Sequence, residues 1–458
     1  MLMPNLAVVI MAAGKGTRMK SKLPKVLHKI AGKPMIEHVL DAVRQVGSER
    51  PLVILGHGRE VIEKQVADRC QIVEQSEQLG TGHAVMQAVP FLDEKDDVIV
   101  LSSDQPLLTA ATLLELIKLH RDHKAAATVL TAELMQPFGY GRIIKKEQEL
   151  DHIVEEKDAT AEERKIQEIN TGTYCFKVAE LKMALRQITP QNAQGEYYLT
   201  DVFNIFLAKG AKVLIHCTPD SNESLGINSR SQLAEAEKIC HERIRQYWMD
   251  NGVTIIDPIS TFIDAEVELA PDVILEPFTI LKGQTKISSD ALIGPQVLME
   301  SCLCGEGCEI SFTVAREALI AEGCKIGPFA YLRPGTCLEA NVKVGDFVEI
   351  KKSQIGVGSK IPHLSYIGDA LIGKSVNIGA GTITCNYDGT TKSTTTIGDH
   401  AFIGSNTNLV APVEIGEGAV TGAGSTITKD VPAQALAVER SKQITRDHYR
   451  NKDTKEKK

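Results

Sequence analysis

The stretch Ile367-Gly-Asp-Ala-Leu-Ile372-Gly-Lys-Ser-Val-Asn-Ile378-Gly decides the fold of half this chain. Aliphatic residues recur at steps of five and six, and each is followed by glycine. A helix repeats near 3.6 residues and a strand near 2, so neither explains the spacing. Upstream, Ile361, Ile355, Ile350, Val344, Leu338, Leu332 and Ile326 keep the same step, as do Met299, Ile293, Ile287, Leu281, Leu275, Leu269 and Ile263. Downstream, after an insertion, Ile397, Ile403, Leu409 and Ile415 continue it, Thr421 breaks it, and Ile427 restores it. This is the hexapeptide repeat of a parallel β-helix. Three hexapeptides form one triangular turn, the aliphatic residue faces the axis, and the small residue after it allows a tight corner.

Ahead of the repeats the pattern differs. Residues 229–250 read as one charged connecting helix, with Leu233, Ala236, Cys240 and Ile244 on a single stripe. The first 228 residues alternate apolar strands with helical segments. Leu6–Ala13, Leu52–Leu55 and Val98–Leu101 are continuously apolar and Ala126–Leu130 is so but for Thr128, the mark of parallel strands covered on both faces. Met35–Val46 and Gly82–Ala88 read as helices. The expected organisation is an α/β domain over residues 1–228, a linker helix over 229–250, a β-helix over 251–440 and a basic tail over 441–458.

Bulk properties narrow the function. The chain has 458 residues, 43% hydrophobic and 24% charged, which suits two globular domains. A net charge of −8 argues against nucleic-acid binding. Ten cysteines form no paired CxxC motifs, and Cys302, Cys304 and Cys308 cluster without a histidine at ligand spacing, so reduced thiols are expected. The apolar run at residues 6–13 is too short for a membrane span and lacks a basic leader, so a cytoplasmic enzyme with no membrane partner is expected.

Gly14-Lys-Gly-Thr-Arg18-Met follows the first strand, with Pro24-Lys25 just beyond. A glycine-rich strand-to-helix turn offers backbone N–H groups to phosphate, and Arg and Lys offset its charge. A Rossmann fingerprint would need glycine where Met19 stands, and a Walker loop orders its residues differently. Met11-Ala12-Ala13-Gly14-x-Gly-Thr-Arg18-Met instead resembles the signature of the sugar-1-phosphate nucleotidyltransferases. Gln75-Ser-Glu-Gln-Leu-Gly80-Thr81 resembles that family's base- and sugar-contacting loop, and Ser102-Ser103-Asp104 its metal-bearing strand end, where the family has glycine in place of Ser103. Gly141, Glu155 and Asn170 match three further segments. The resemblance implies a Rossmann-like α/β fold, UTP as co-substrate, Mg²⁺ on Asp104 and Asn228, and charge neutralisation by Arg18 and Lys25.

In the repeats, Pro362-His363-Leu-Ser-Tyr366 brings a ring nitrogen into an Ile/Gly/Ser-rich coil, with Arg333, Lys351, Tyr366 and Asn377 within about two turns. Asn386-Tyr387-Asp-Gly-Thr-Thr-Lys392 is the long insertion there. From Ala12 to Arg440 the motif order resembles the family of bifunctional N-acetylglucosamine-1-phosphate uridylyltransferase/glucosamine-1-phosphate N-acetyltransferases, whose coil is left-handed. The resemblance implies acetyl transfer from acetyl-CoA to glucosamine 1-phosphate, followed by uridylyl transfer that releases pyrophosphate. It assigns Arg333, Lys351, Tyr366, Asn377 and Lys392 to the sugar phosphate, and Ala380, Asn386, Tyr387, Ser405, Ala423 and Arg440 to acetyl-CoA. His363 is the expected general base, because a protonated amine has no lone pair to attack a thioester. Glu349 is expected to orient it, and Asn386 or a backbone N–H to stabilise the oxyanion. A homotrimer is implied by the family. Two alternatives stand beside this reading. One is a single-activity nucleotidyltransferase with a structural or regulatory coil. The other, a γ-type carbonic anhydrase, needs three zinc-binding histidines, and after residue 350 only His363, His400 and His448 occur, at unsuitable spacing.

Overall fold

The computed structural model describes residues 6–449, so the end of the basic tail, residues 450–458, lies outside the described residues. The chain divides into two compact units, residues 1–241 and 242–458.

The first unit is built on a nine-stranded sheet. Its strands are β1 (Leu6–Ala12), β2 (Leu52–Leu55), β3 (Gln71–Glu74), β4 (Asp97–Ser102), β5 (Ala127–Glu133), β6 (Gly141–Lys146), β7 (Glu149–Val154), β8 (Glu168–Lys177) and β9 (Val213–Cys217). The order is β9-β5-β8-β4-β1-β2-β3, with the β6/β7 hairpin attached to β8. The four apolar runs read from sequence all point the same way, but the sheet is mixed. Strand β8 runs antiparallel between β4 and β5, and its polar stretch Asn170-Thr-Gly-Thr hid it from a search for continuous apolarity. Helices α1 (Met35–Gln45), α2 (Arg59–Val66), α3 (Thr81–Ala88), α4 (Ala110–Asp122), α5 (Val178–Leu185) and α6 (Asp201–Ala208) accompany it. Two apolar clusters form, one around Val9, Val100 and Phe203 and the other around Ile10, Leu101 and Ile117. Strands β4, β1, β2 and β3 run parallel and side by side, so their carboxyl ends share one edge, and open parallel sheets bind ligands at such carboxyl ends.

A single helix, α7, spans Arg230–Asp250. In the second unit three parallel sheets of 11, 10 and 9 short strands form the faces of a prism. Every aliphatic residue of the register from Ile263 to Ile427 is buried, and Thr421 is buried with them. Its hydroxyl accepts from the Gly404 amide at 3.0 Å, so the polar atom inside the prism is satisfied. Between Met299 and Ile326, where the register falls silent in sequence, Cys304, Ile310, Ala315 and Ile320 take the inward positions. Cys302, Cys308 and Cys324 are buried too, and all ten cysteines are free. No described helix is long and apolar enough to cross a membrane.

Candidate active sites

In the first unit, a cleft of about 420 Å³ opens at the carboxyl ends of β1 and β4. Met11, Ala12, Ala13, Gly14, Lys25, Gln75, Gly80, Thr81, Ser102 and Ser103 line it, joined by Lys15, Gln78 and Glu196, which the sequence reading did not single out. Gly16 lies against Lys25, one of the lining residues. Its φ is +59°, and a Cβ there would come within 2.7 Å of the Lys25 Cβ, so only glycine lets Lys25 pass.

Lys25 then reaches inward. Its Nζ donates to Asp104 Oδ2 at 2.6 Å and to Asn228 Oδ1 at 3.0 Å. Burial alone would raise the Asp104 carboxyl, but the charge and hydrogen bond of the Lys25 ammonium outweigh it and hold that carboxyl below its ordinary value. Asn228 is held because the Ile227 amide donates to the Asp104 carbonyl at 2.9 Å. A cation therefore already sits between two hard oxygen donors, which is the chemistry a small divalent ion requires.

Ser103, standing where the family has glycine, turns its hydroxyl away from chemistry. Its Oγ donates to the Met11 carbonyl at 2.8 Å. Gly141, Glu155 and Asn170 come together, since a Cβ at Gly141 would lie 3.5 Å from both others. Burial pushes the Glu155 carboxyl up, and the Thr200 hydroxyl donates to it at 3.1 Å. Arg18 is not brought into the cleft. It is exposed on the turn Thr17–Met19 and has no hydrogen bond or ion pair among the described residues.

The second unit places its polar residues in two groups round one corner of the prism. The first is a column. The amide following each residue donates to the carbonyl one turn back: Leu364 to Asp346, Gly381 to His363, Asn406 to Ala380 and Gly424 to Ser405. Asp346, His363, Ala380, Ser405 and Ala423 thus stack along one edge, with Arg440 approaching Gly424 at its far end. Asn377 lies on the same face as His363, paired with Lys360.

The second group lies past the corner residue Leu364. Arg333 donates to Glu349 at 2.8 Å. Lys351 lies 4.0 Å from Asp369, and Asn386 also donates to Asp369. Tyr366 lies across Gly368, where a Cβ would meet its hydroxyl at 2.5 Å. Lys351 lies near Lys392, and its like charge lowers the Lys392 ammonium from its ordinary value. Two ammonium groups held together make an anion site. Tyr387 stays exposed, its hydroxyl bonded to the Gly389 carbonyl at 2.6 Å.

One expectation is corrected. Glu349 does not orient His363, because its carboxylate is engaged by Arg333. The partner of His363 is Asp346, at 2.6 Å from Nδ1. A signal for it existed in the sequence: 17 residues separate the two, one turn of the coil.

Comparisons with known proteins agree with this division. The family described as MobA-like NTP transferase domain matches residues 8–168, and bacterial transferase hexapeptide (six repeats) matches residues 394–429. Over 449 residues the chain is 64% identical to the bifunctional protein GlmU of Desulfitobacterium hafniense, with 98% of each chain covered. It is 55% identical over 449 residues to that of Heliobacterium modesticaldum, again with 98% of each covered. With that of Syntrophomonas wolfei it shares 50% identity over 441 residues, covering 96% of this chain and 98% of the other.

Proposed function

This chain belongs to the GlmU family of bifunctional enzymes that make UDP-N-acetylglucosamine, and from that premise we propose which residues carry each half-reaction. The observation that carries the assignment is that the chemistry-bearing residues fall into two separate units, each with its own cationic site.

In the uridylyl reaction, a phosphate oxygen of N-acetylglucosamine 1-phosphate attacks the α-phosphorus of UTP. The bond from that phosphorus to the β-phosphate oxygen breaks, and pyrophosphate leaves. Such transfer depends on positioning and charge neutralisation. Met11–Gly14 supply backbone donors, Gln75, Gly80 and Thr81 hold the nucleotide, and Ser102 and Ser103 shape the wall. Gly141, Glu155 and Asn170 take the sugar, while Lys25 offsets charge within the cleft, and Arg18, exposed outside it, could do so only by swinging in. Asp104 and Asn228 would hold Mg²⁺, which would supply further neutralisation of the phosphate charge.

In the acetyl reaction, the neutral amine of glucosamine 1-phosphate attacks the thioester carbonyl of acetyl-CoA. His363 takes the amine proton as the C–N bond forms. The C–S bond then breaks and the proton passes to the leaving sulfur. Arg333, Lys351, Tyr366, Asn377 and Lys392 bind the sugar phosphate. The small-residue column Ala380, Ser405 and Ala423, with Asn386, Tyr387 and Arg440, leaves a track for acetyl-CoA.

The functional unit is a homotrimer on this reading. Phe312, Phe329 and Phe347 stack at 5.5 and 5.3 Å along the corner that continues to Leu364, and Phe329, Phe347 and Leu364 are more than half exposed. A second copy of the chain would cover that apolar edge and complete a site whose own groups stand on two faces. A coil that served only as a scaffold would have no use for two ammonium groups held together.

Both half-reactions, assayed on purified protein with His363→Ala and Asp104→Ala, test the assignment. Each substitution is expected to lower one activity by about 10² or more and to spare the other. Loss of both activities from either change, with folding intact, would defeat it.

A further inference from the structure

We propose that Asp346 is the positioning carboxylate of the acetyl site, accepting the Nδ1–H of His363 so that Nε2 keeps its lone pair for the amine proton. This deepens the reading above and rests on His363 as the base.

The geometry is specific. Asp346 and His363 are register partners on the neighbouring strands Lys343–Asp346 and Lys360–His363. Their side chains meet at 2.6 Å, Oδ1 to Nδ1. Backbone bonds fix both ends: the Leu364 amide donates to the Asp346 carbonyl, and the Gly381 amide and the Ser365 hydroxyl donate to that of His363. No other side chain bonds to either group among the described residues. Along the column of Asp346, His363, Ala380, Ser405 and Ala423, the two large side chains are next to each other and bonded. An exposed pair of this sort adds little to stability, so its alignment asks for another use.

The chemistry follows from imidazole's two nitrogens. A neutral ring carries one N–H, and the group accepting that N–H decides which nitrogen is left basic. A carboxylate can only accept, so Asp346 favours the Nδ1–H tautomer. When Nε2 takes the proton from the amine, the same carboxylate faces the new imidazolium and stabilises it. The hydrogen bond from His363 correspondingly keeps the Asp346 carboxyl below its ordinary value. Other charges nearby are Lys343 on the strand of Asp346, Lys360 on that of His363, and the Lys325–Glu309 pair in the same groove. None of them bonds to the ring.

The test compares Asp346→Asn, Asp346→Glu and His363→Ala in both half-reactions. For Asp346→Asn, kcat for acetyl transfer is expected to fall about 10- to 100-fold, because the amide can also donate and so admit the wrong tautomer. KM for glucosamine 1-phosphate and acetyl-CoA should stay within about twofold, the signature of a loss felt only in the transition state. The acid limb of the pH profile should move to lower pH, since the imidazolium has lost its counter-charge. Asp346→Glu should recover part of kcat. In ¹⁵N spectra of histidine-labelled protein, the Nδ1–H signature of His363 should weaken in the asparagine variant. An unchanged urea midpoint of the coil certifies the fold in all three, and unchanged uridylyl transfer confines the effect to the acetyl site. An asparagine variant with wild-type kcat, acid limb and ring signature would overturn the proposal. Wild-type acetyl transfer by His363→Ala would instead remove the base assignment on which it rests.

Discussion

The two units bring charged groups together in opposite ways. In the sheet unit, Lys25, Asp104 and Asn228 come from distant segments and converge in a cleft where Lys25 and Asp104 are 12% and 15% exposed. In the coil, Asp346 and His363 are 39% and 57% exposed, and their neighbours are simply the next turns of the prism. A sheet with crossing helices makes a concave site from one chain. A prism has flat faces and convex corners, so it can only align groups and leave another surface to enclose them. The first site is thus closed by its own fold, and the second is left open.

The sharpest way to break this contrast is through the cores. Phe203 is fully buried among Tyr174, Phe176 and Phe206. Phe203→Ala should cost about 3–5 kcal/mol and lower the unfolding midpoint of the sheet unit. Ile350 is also fully buried, but its strand partners are Leu332 and Ile367, one turn to either side. Ile350→Ala should cost about 2–4 kcal/mol and lower the midpoint of the coil. Urea titrations followed by each half-reaction would separate the two. If either substitution shifted both midpoints equally, the units would not be energetically distinct.

The same contrast explains what the sequence revealed. The coil was legible almost residue by residue, because each hexapeptide repeats one local decision. It fell silent around the small or polar inward residues Cys304, Ala315 and Thr384, and the inward Ile310 and Ile320 between such breaks were lost with them. Strand β8 was invisible, since Asn170 and its neighbours are polar for the sake of the site. The Lys25–Asp104–Asn228 contact spans 203 residues, and no local pattern announces it. Asp346 was missed for a different reason: Glu349, another acidic residue nearby in sequence, drew attention, while the register that pairs position 346 with 363 needed a full turn to be counted.

Two glycines give a smaller test, one in each unit. Gly16→Ala places a methyl group against Lys25 at a left-handed φ, so it should displace the ammonium and lower uridylyl transfer about 10- to 100-fold. Gly368→Ala pushes against the Tyr366 hydroxyl on an open face, where the ring can swing outward. It should raise KM for glucosamine 1-phosphate about tenfold with less change in kcat. Steady-state kinetics of both half-reactions would show it. An effect of Gly368→Ala as large as that of Gly16→Ala would mean the coil site is as confined as the cleft.

The smallest effect lies in the response to acid, and its sign differs within the sheet unit itself. Asp104 has its carboxyl depressed by Lys25, so it stabilises the fold above the unfolded value near 3.9, and that gain is lost as pH falls through the lower folded value. Glu155 is raised by burial, so its charged form is penalised at neutral pH, and the penalty is relieved as pH falls through the raised value. At pH 7, Asp104→Asn should therefore be less stable than the parent and Glu155→Gln more stable. Both differences should shrink on acidification, the Glu155 one first. Asp346 is depressed as well, by its bond from His363, but it stands in solvent where salt and water screen the pair. Asp346→Asn should leave the urea midpoint unchanged from pH 7 to pH 4, although it slows acetyl transfer. A midpoint below the parent's at pH 7 that converges on it towards pH 4 would mean that the pair on the prism edge holds the fold together, as the buried one in the cleft does.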